Sequence, residues 1–114
     1  MPYKEKIISQ EIIQKLRALF EKHKVCGQFL KEASFKNFRM DGVFVSESGF
    51  KIYIDVKSVI SAQTIERYRK SAEEAHAVGN FILLASQDIS QVLLDRFPDC
   101  GILFFSLNGA SRIE

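Results

Sequence analysis

The stretch of sequence that decides the fold is residues 39–57, RMDGVFVSESGFKIYIDVK. Two runs rich in β-branched and aromatic residues flank residues 46–49, whose serine and glycine residues are typical of a tight turn. The stretch therefore predicts an antiparallel hairpin. Because successive side chains of a strand alternate between its two faces, Asp55 and Lys57 point the same way, about 7 Å apart along the strand.

The hairpin brings Asp41, on its first strand, toward Asp55 and Lys57 on its second. Along the second strand, isoleucine and valine alternate with Tyr53, Asp55 and Lys57, so one face belongs to the core and the other would line a site. Aspartate is depleted in strand interiors, so Asp55 indicates a function. The alternative is the solvated face of a half-exposed hairpin, on which Asp55 and Lys57 form a same-face ion pair.

Hydrophobic periodicity and turn residues predict the other elements. The second helix has Ser61 as its N-cap and Gly79 just past its end, and Asp88 is predicted to cap a third helix with Gln91 completing a capping box. The predicted elements, in chain order, are a helix at 3–23, a weak strand at 26–30, a loop at 31–37, strands at 38–45 and 50–56, a helix at 61–78, a strand at 80–85, a helix from Asp88 that Pro98 stops, a strand at 101–107 and a polar tail at 108–114.

Strands joined by helices after the hairpin imply parallel pairing through right-handed crossovers. The predicted fold class is α/β, with a mixed sheet and helices on both faces. A chain of 114 residues is long enough for one domain with a real core and too short for two. We therefore expect a single domain over residues 1–114.

The composition, with 46% hydrophobic and 26% charged residues, is that of a soluble globular protein. No apolar run approaches the roughly 20 residues of a membrane span, and the N-terminus lacks the apolar block of a signal peptide. We therefore expect an intracellular, cytoplasmic protein without a membrane partner. Cys26 and Cys100 match no metal-ligand spacing and are expected to be buried thiols.

Charge is distributed unevenly along the chain. Residues 1–40 hold nine Lys or Arg and four Glu, whereas residues 41–114 hold seven Lys or Arg and ten acids. This asymmetry suits a protein that binds a polyanion with one half and a cation with the other. An ordinary solvated surface explains the same asymmetry equally well.

The residue types around the hairpin match the needs of phosphodiester hydrolysis. That reaction needs a cation that neutralises phosphoryl charge and generates a nucleophile from water. Mg²⁺ prefers oxygen ligands and keeps several waters, so a few carboxylates and a backbone carbonyl suffice. A lysine beside the attacked phosphorus can hold the water or stabilise the developing charge. The groups that meet these needs are Asp41, Asp55, the carbonyl of Val56, and Lys57.

RMDG at 39–42, the hairpin, IDVK at 54–57 and the helix that follows resemble the PD-(D/E)XK nuclease superfamily, which has the restriction-endonuclease-like fold. The resemblance covers residues 3 to about 86. It implies a core of order αβββαβ, to which the last helix and strand add an αβ extension. The chain looks most like small Holliday-junction-resolvase-type domains and, through a downstream Gln and Tyr, the RecB-like branch.

The resemblance implies a DNA endonuclease that depends on Mg²⁺, for which Mn²⁺ can substitute. Met40 departs from the family pattern by standing where proline is usual, and Asp55 by replacing the commoner glutamate.

The resemblance also implies an acid on the first helix. Glu5 shares the inward face with Ile8 and Ile12, whereas Glu11 points about 120° away. We favour Glu5 as an additional catalytic residue and metal ligand and keep Glu11 as the alternative. Gln63, near the start of the second helix, is implied to reach the site or a phosphate, its alternative being an ordinary surface amide.

Four basic residues flank the hairpin and are candidates for phosphate contacts: Arg39, Lys36, Lys31 and Lys51. Such contacts would give salt-sensitive and largely sequence-independent binding of DNA. Tyr68 is expected to pack in the core rather than to stack on a base.

Cleavage of two strands or of a junction would need two sites and hence a homodimer. The open alternatives are a non-catalytic nucleic-acid-binding module and a nuclease subunit that acts only with a helicase, transposase or recognition subunit.

Overall fold

The computed structural model describes residues 3–35, 38–98, 100–109 and 111–113, with side chains described from residue 10 onward except at 32–38. Five strands form one sheet in the order β1-β2-β3-β4-β5. The first three pair antiparallel, and β3, β4 and β5 pair parallel. The elements are α1 Tyr3–Lys22, β1 Gly27–Phe35, β2 Phe38–Ser46, β3 Lys51–Val56, α2 Ala62–Ala77, β4 Phe81–Ser86, α3 Gln91–Asp95 and β5 Ile102–Ser106. The predicted α/β class, element order and mixed sheet are confirmed.

Helices cover both faces of the sheet, and the alternation along each strand decides which residues they meet. On one face, Leu16 of α1 belongs to the same buried cluster as Ile52 and Ile54 of β3. On the other face, Ile65 and Tyr68 of α2 pack with Tyr53 and with the inner residues of β4 and β5. The predicted division of β3 into two faces is therefore confirmed. The face that carries Asp55 is covered by α2, so the solvated face of the alternative interpretation is wrong for this residue, whereas the ion pair between Asp55 and Lys57 that the same alternative predicted is present.

Two local predictions are corrected by the structure. The loop predicted at 31–37 is strand as far as Phe35, because β1 pairs with β2 from Gly27↔Ser46 to Phe35↔Phe38. This pairing outweighs the polar composition of the segment. The third helix begins at Gln91 and is capped by Ser90, whose hydroxyl accepts from the Leu93 N–H, rather than by Asp88.

The second helix begins and ends as predicted. Ser61 is its N-cap and forms a capping box with Thr64. Gly79 follows the helix with a φ of +81°, in the left-handed region that favours glycine. Cys100 is buried as expected, whereas Cys26 is exposed. Among the residues that the structure describes, none of the helices is both long and apolar enough to cross a membrane.

The end of the chain, predicted as a polar tail, contacts the fold through Arg112. Its backbone pairs antiparallel with Phe104 on the outer edge of β5. Its guanidinium donates to the carbonyls of Leu94 at 2.5 Å and Phe97 at 2.6 Å. The tail therefore covers part of an otherwise open sheet edge and satisfies carbonyls at the end of α3.

Arg112→Ala is expected to lower the free energy of unfolding by about 2 kcal/mol, because charge-assisted hydrogen bonds to partly buried carbonyls are lost. Urea unfolding monitored by circular dichroism measures the change. Arg96→Ala, at an exposed arginine of the same region, is the matched control and should change stability little. Equal effects of the two substitutions would show that the guanidinium contacts of Arg112 do not stabilise the tail.

Candidate active site

Asp41 lies where β2 and β3 separate. The two strands pair from Val45↔Lys51 to Gly42↔Ile54, and the pairing stops there. Beyond this last pair, the Val56 N–H donates to Asp41 Oδ2 at 2.7 Å. A side-chain carboxylate therefore takes the place of a main-chain acceptor and is fixed beside the end of β3. Because the N–H and C=O of one strand residue point to the same side, the Val56 carbonyl faces the same gap.

Asp55 is the buried centre of the cluster, with a relative exposure of 4%. Its Oδ2 accepts a hydrogen bond from the Tyr68 hydroxyl and lies 3.1 Å from Lys57 Nζ. The Lys57 backbone is held in turn by its N–H, which donates to the Ala85 carbonyl at 2.8 Å. The predicted convergence of Asp41, Asp55 and Lys57 at the end of the hairpin is thus present in the structure.

Two acids close together in a partly dry site alter each other's protonation. Burial, and then a hydrogen bond with the Asp55 carboxyl, raise the pKa of Asp41 to about 6, against the opposing effects of the Val56 N–H and the positive charge of Lys57. Burial, followed by the hydrogen bond to Asp55, also raises the pKa of Tyr68. The Tyr68 hydroxyl therefore stays protonated at neutral pH and acts as a donor to Asp55.

The donor set suits a hard divalent cation. Val56 N–H engages one oxygen of Asp41, and Tyr68 and Lys57 engage one oxygen of Asp55. Each carboxyl keeps a second oxygen, either for the hydrogen bond between the two acids or for a cation that would replace the shared proton. Two carboxylates and a carbonyl fit Mg²⁺, which keeps several of its waters. Within the side chains described, no group of three His, Cys, Asp or Glu residues forms a fuller metal site.

The first-helix acids are placed by the direction of α1. Phe20, near the end of α1, lines a groove with Phe50 and Phe81, at the beginnings of β3 and β4. The helix therefore runs toward those beginnings, and its first turn lies toward the carboxyl ends of the strands. Glu5 belongs to this turn, but its side chain falls outside the described residues; Glu11 is exposed.

The remaining predicted residues lie at varying distances from the cluster. Gln63 is exposed in the first turn of α2, and Arg39 is exposed on β2 two residues before Asp41. Lys31 is exposed on β1, opposite Gly42. Lys51 is at the beginning of β3, the end away from Asp55, and its N–H donates to Asn80. Lys36 falls outside the described residues.

Tyr68 is a site residue whose contact with Asp55 was not predicted: the sequence interpretation noted a downstream Tyr in the resemblance but expected Tyr68 only to pack in the core. It is buried in the core, with 2% exposure. Its hydroxyl nevertheless reaches Asp55, and its ring centroid lies 5.6 Å from Lys57 Nζ. A buried tyrosine hydroxyl normally needs a hydrogen-bond partner, and Asp55 is the acid on the strand face that α2 covers. That combination was the signal available in the sequence.

No protein-family model and no curated protein matches the sequence. Among solved structures, the chain is similar to the crystal structure of a repair endonuclease from Pyrococcus abyssi, with a TM-score of 0.54 and 14% identity over 91% of this chain. It is also similar to an EndoMS–dsDNA2 complex, with a TM-score of 0.49 and 11% identity over 92% of this chain. The chain spans 47% and 45% of the lengths of these two chains. The first likeness shows that the chain has the fold of that repair endonuclease.

Proposed function

We propose that this protein is a metal-dependent DNA endonuclease of the PD-(D/E)XK type, which hydrolyses phosphodiester bonds. The observation that carries the proposal is the meeting of Asp41, Asp55 and Lys57 where β2 and β3 separate, with the Asp41 carboxylate on the Val56 N–H and Lys57 Nζ 3.1 Å from Asp55 Oδ2. The fold shared with a repair endonuclease supports the same class of reaction.

In this proposal, Asp41, Asp55 and the Val56 carbonyl hold Mg²⁺ or Mn²⁺, with Glu5 as a further ligand from α1. The bound cation supplies a Lewis acid that polarises the phosphoryl group and lowers the pKa of a water. Tyr68 keeps Asp55 in one orientation. Lys57 has three ammonium donors, of which Asp55 uses one, so the others can hold a water or a phosphoryl oxygen. Water forms a new bond to phosphorus as the bond to the leaving oxygen breaks; one proton of the water passes to solvent, and the leaving oxygen takes a proton from solvent to become the hydroxyl end of a released strand.

The substrate of the proposed reaction is DNA, with junctions or branched duplexes as the favoured form. A homodimer would supply the two sites that cleavage of two strands requires. The main-chain edge of β5 is partly covered by the Arg112 bridge, so an interface at β5 would use its side chains rather than its edge. Action with a recognition, transposase or helicase subunit is the second form of the proposal.

The test is cleavage of linear duplex, branched and single-stranded DNA by the purified chain, with Mg²⁺, with Mn²⁺ and with EDTA. We expect cleavage of at least one substrate that needs the metal and stops in EDTA. Metal binding is measured separately by calorimetry. An absence of both cleavage and metal binding would favour the non-catalytic binding module, whereas metal binding without cleavage would favour a subunit that needs an assembly.

A further inference from the structure

Three polar residues of α2 form a stripe on one exposed flank of the helix, beside the candidate active site. Gln63, Arg67 and Lys70 follow one another at intervals of four and three residues, and all three side chains are exposed. This spacing places them above one another along the helix. The first turn of α2 contains no acidic residue that would repel an anion. Glu74, two turns beyond Arg67, bounds the stripe.

Arg67 differs from the neighbouring Arg69 in its surroundings. Arg69 forms an ion pair with Glu66, at 3.3 Å. Within the described part of the chain, no ion pair or hydrogen bond involves the Arg67 side chain. Two helical positions correspond to about 200° of rotation, so the two arginines lie on opposite flanks of α2. Arg67 therefore presents a charge that is available to a ligand, whereas the charge of Arg69 is already engaged.

The flank of Arg67 adjoins the site. Arg67 directly precedes Tyr68, whose hydroxyl donates to Asp55 and whose ring centroid lies 5.6 Å from Lys57 Nζ. One helical position corresponds to about 100° of rotation, so Arg67 lies on the exposed flank next to the buried side from which Tyr68 reaches the central carboxylate.

We propose that the stripe of Gln63, Arg67 and Lys70 binds the phosphodiester backbone of the DNA strand that enters the site, with Arg67 as its principal contact. The proposal rests on the proposed nuclease function and adds a surface to it. Arg67 would be a positioning residue: its planar guanidinium binds two phosphate oxygens at once, and an adjacent phosphate held there would set the scissile one beside Asp55 and Lys57. Phosphate contacts fix position without reading sequence.

The experiment compares Arg67→Gln with Arg69→Gln in the full chain. Fluorescence anisotropy measures binding of a short labelled duplex and of the corresponding single strand, in EDTA, across salt concentrations from about 50 to 200 mM. Loss of one phosphate contact should reduce the slope of log affinity against log salt by about 0.9 for duplex and about 0.7 for single strand. Arg67→Gln should also weaken binding about three- to tenfold at the lowest salt, and Arg69→Gln should match the wild type. The retained helical circular dichroism of both variants serves as the folding control.

Three results would overturn the inference: an unchanged slope for Arg67→Gln, equal effects of the two substitutions, or no binding of either DNA by the wild type at low salt. Cleavage assays with Mg²⁺ or Mn²⁺ distinguish failure of this inference from failure of the proposed nuclease function. If the wild type cleaves DNA with the metal and Arg67→Gln leaves the salt slope unchanged, the stripe is ruled out as a DNA contact and the nuclease function stands. A slope that depends on Arg67, with neither cleavage nor metal binding by the wild type, supports the stripe and favours the non-catalytic binding module over the nuclease.

Discussion

Lys57→Met is expected to reduce metal-dependent DNA cleavage by about a hundred- to thousand-fold, because losing one group that stabilises transition-state charge costs about that much. Methionine keeps a side chain of similar length and lacks the ammonium, which is 3.1 Å from Asp55 Oδ2 and 5.6 Å from the centroid of the Tyr68 ring. The loss should therefore appear in kcat, with little change in DNA binding. Single-turnover cleavage of the preferred substrate, together with anisotropy in EDTA, separates the two quantities.

Lys51→Met is the matched control for this prediction. Lys51 and Lys57 are separated by an even number of positions, so an extended strand points both side chains to the same face. Lys51 is at the beginning of β3, whereas Lys57 follows its end. A phosphate contact from Lys51 would alter binding and leave kcat unchanged. Cleavage by Lys57→Met at the wild-type rate would contradict the assignment of the site, whatever the control shows.

Asp41→Asn is expected to abolish cleavage and, at the same time, to make the protein more stable at neutral pH. Asparagine can still accept the Val56 N–H, but it lacks the charge that binds a cation and repels Asp55. Burial, and then the contact with Asp55, raises the pKa of Asp41 from 3.8 to about 6. The charged form is thus disfavoured in the folded state, and removing it should stabilise the fold by about 1 to 2 kcal/mol once solvent screening of this partly exposed group is allowed for.

The sign of the pH dependence follows from the same shift. Between about pH 4 and about pH 6 the folded protein holds a proton on Asp41 that the unfolded chain releases, so this group's contribution to stability falls as pH rises through that window. Thermal unfolding at a series of pH values should show this fall in the wild type and not in Asp41→Asn. The variant should melt about 3 to 8 °C higher at neutral pH. Asp95→Asn, at an exposed acid, should behave as the wild type. A variant less stable than the wild type at neutral pH would contradict the proposed repulsion.

Local sequence signals predicted the parts of the fold that depend on nearby residues. The turn at 46–49 and the alternation along β3 placed Asp55 and Lys57 on one face. Ser61 and Gly79 fixed the ends of α2, since capping chemistry acts within a few residues. The end of β1 at Phe35 was missed because its polar residues are strand only through pairing with β2. Such pairing depends on partners elsewhere in the chain, which composition does not reveal.

The sequence predicted that Asp41, Asp55 and Lys57 come together but did not predict their hydrogen bonds. The separation of β2 from β3 that lets Asp41 accept the Val56 N–H depends on the twist of the assembled sheet. Tyr68 had the spacing of a core residue, and only the packing of α2 on β3 shows that its hydroxyl reaches Asp55. The charge of Arg67, which pairs with none of the described residues, was not singled out, although the i,i+3 spacing of Glu66 and Arg69 on a helix favours that pair.

Anomalous scattering from Mn²⁺ in crystals of the protein tests the proposed metal site directly. We predict a peak in the gap between β2 and β3, within about 2.5 Å of a carboxylate oxygen of Asp41, of a carboxylate oxygen of Asp55 and of the Val56 carbonyl oxygen. The same peak should be absent from crystals of Asp41→Asn. No peak in the wild type at saturating Mn²⁺, or a peak that does not involve Asp41 and Asp55, would contradict the claim that these residues form a metal-dependent nuclease site.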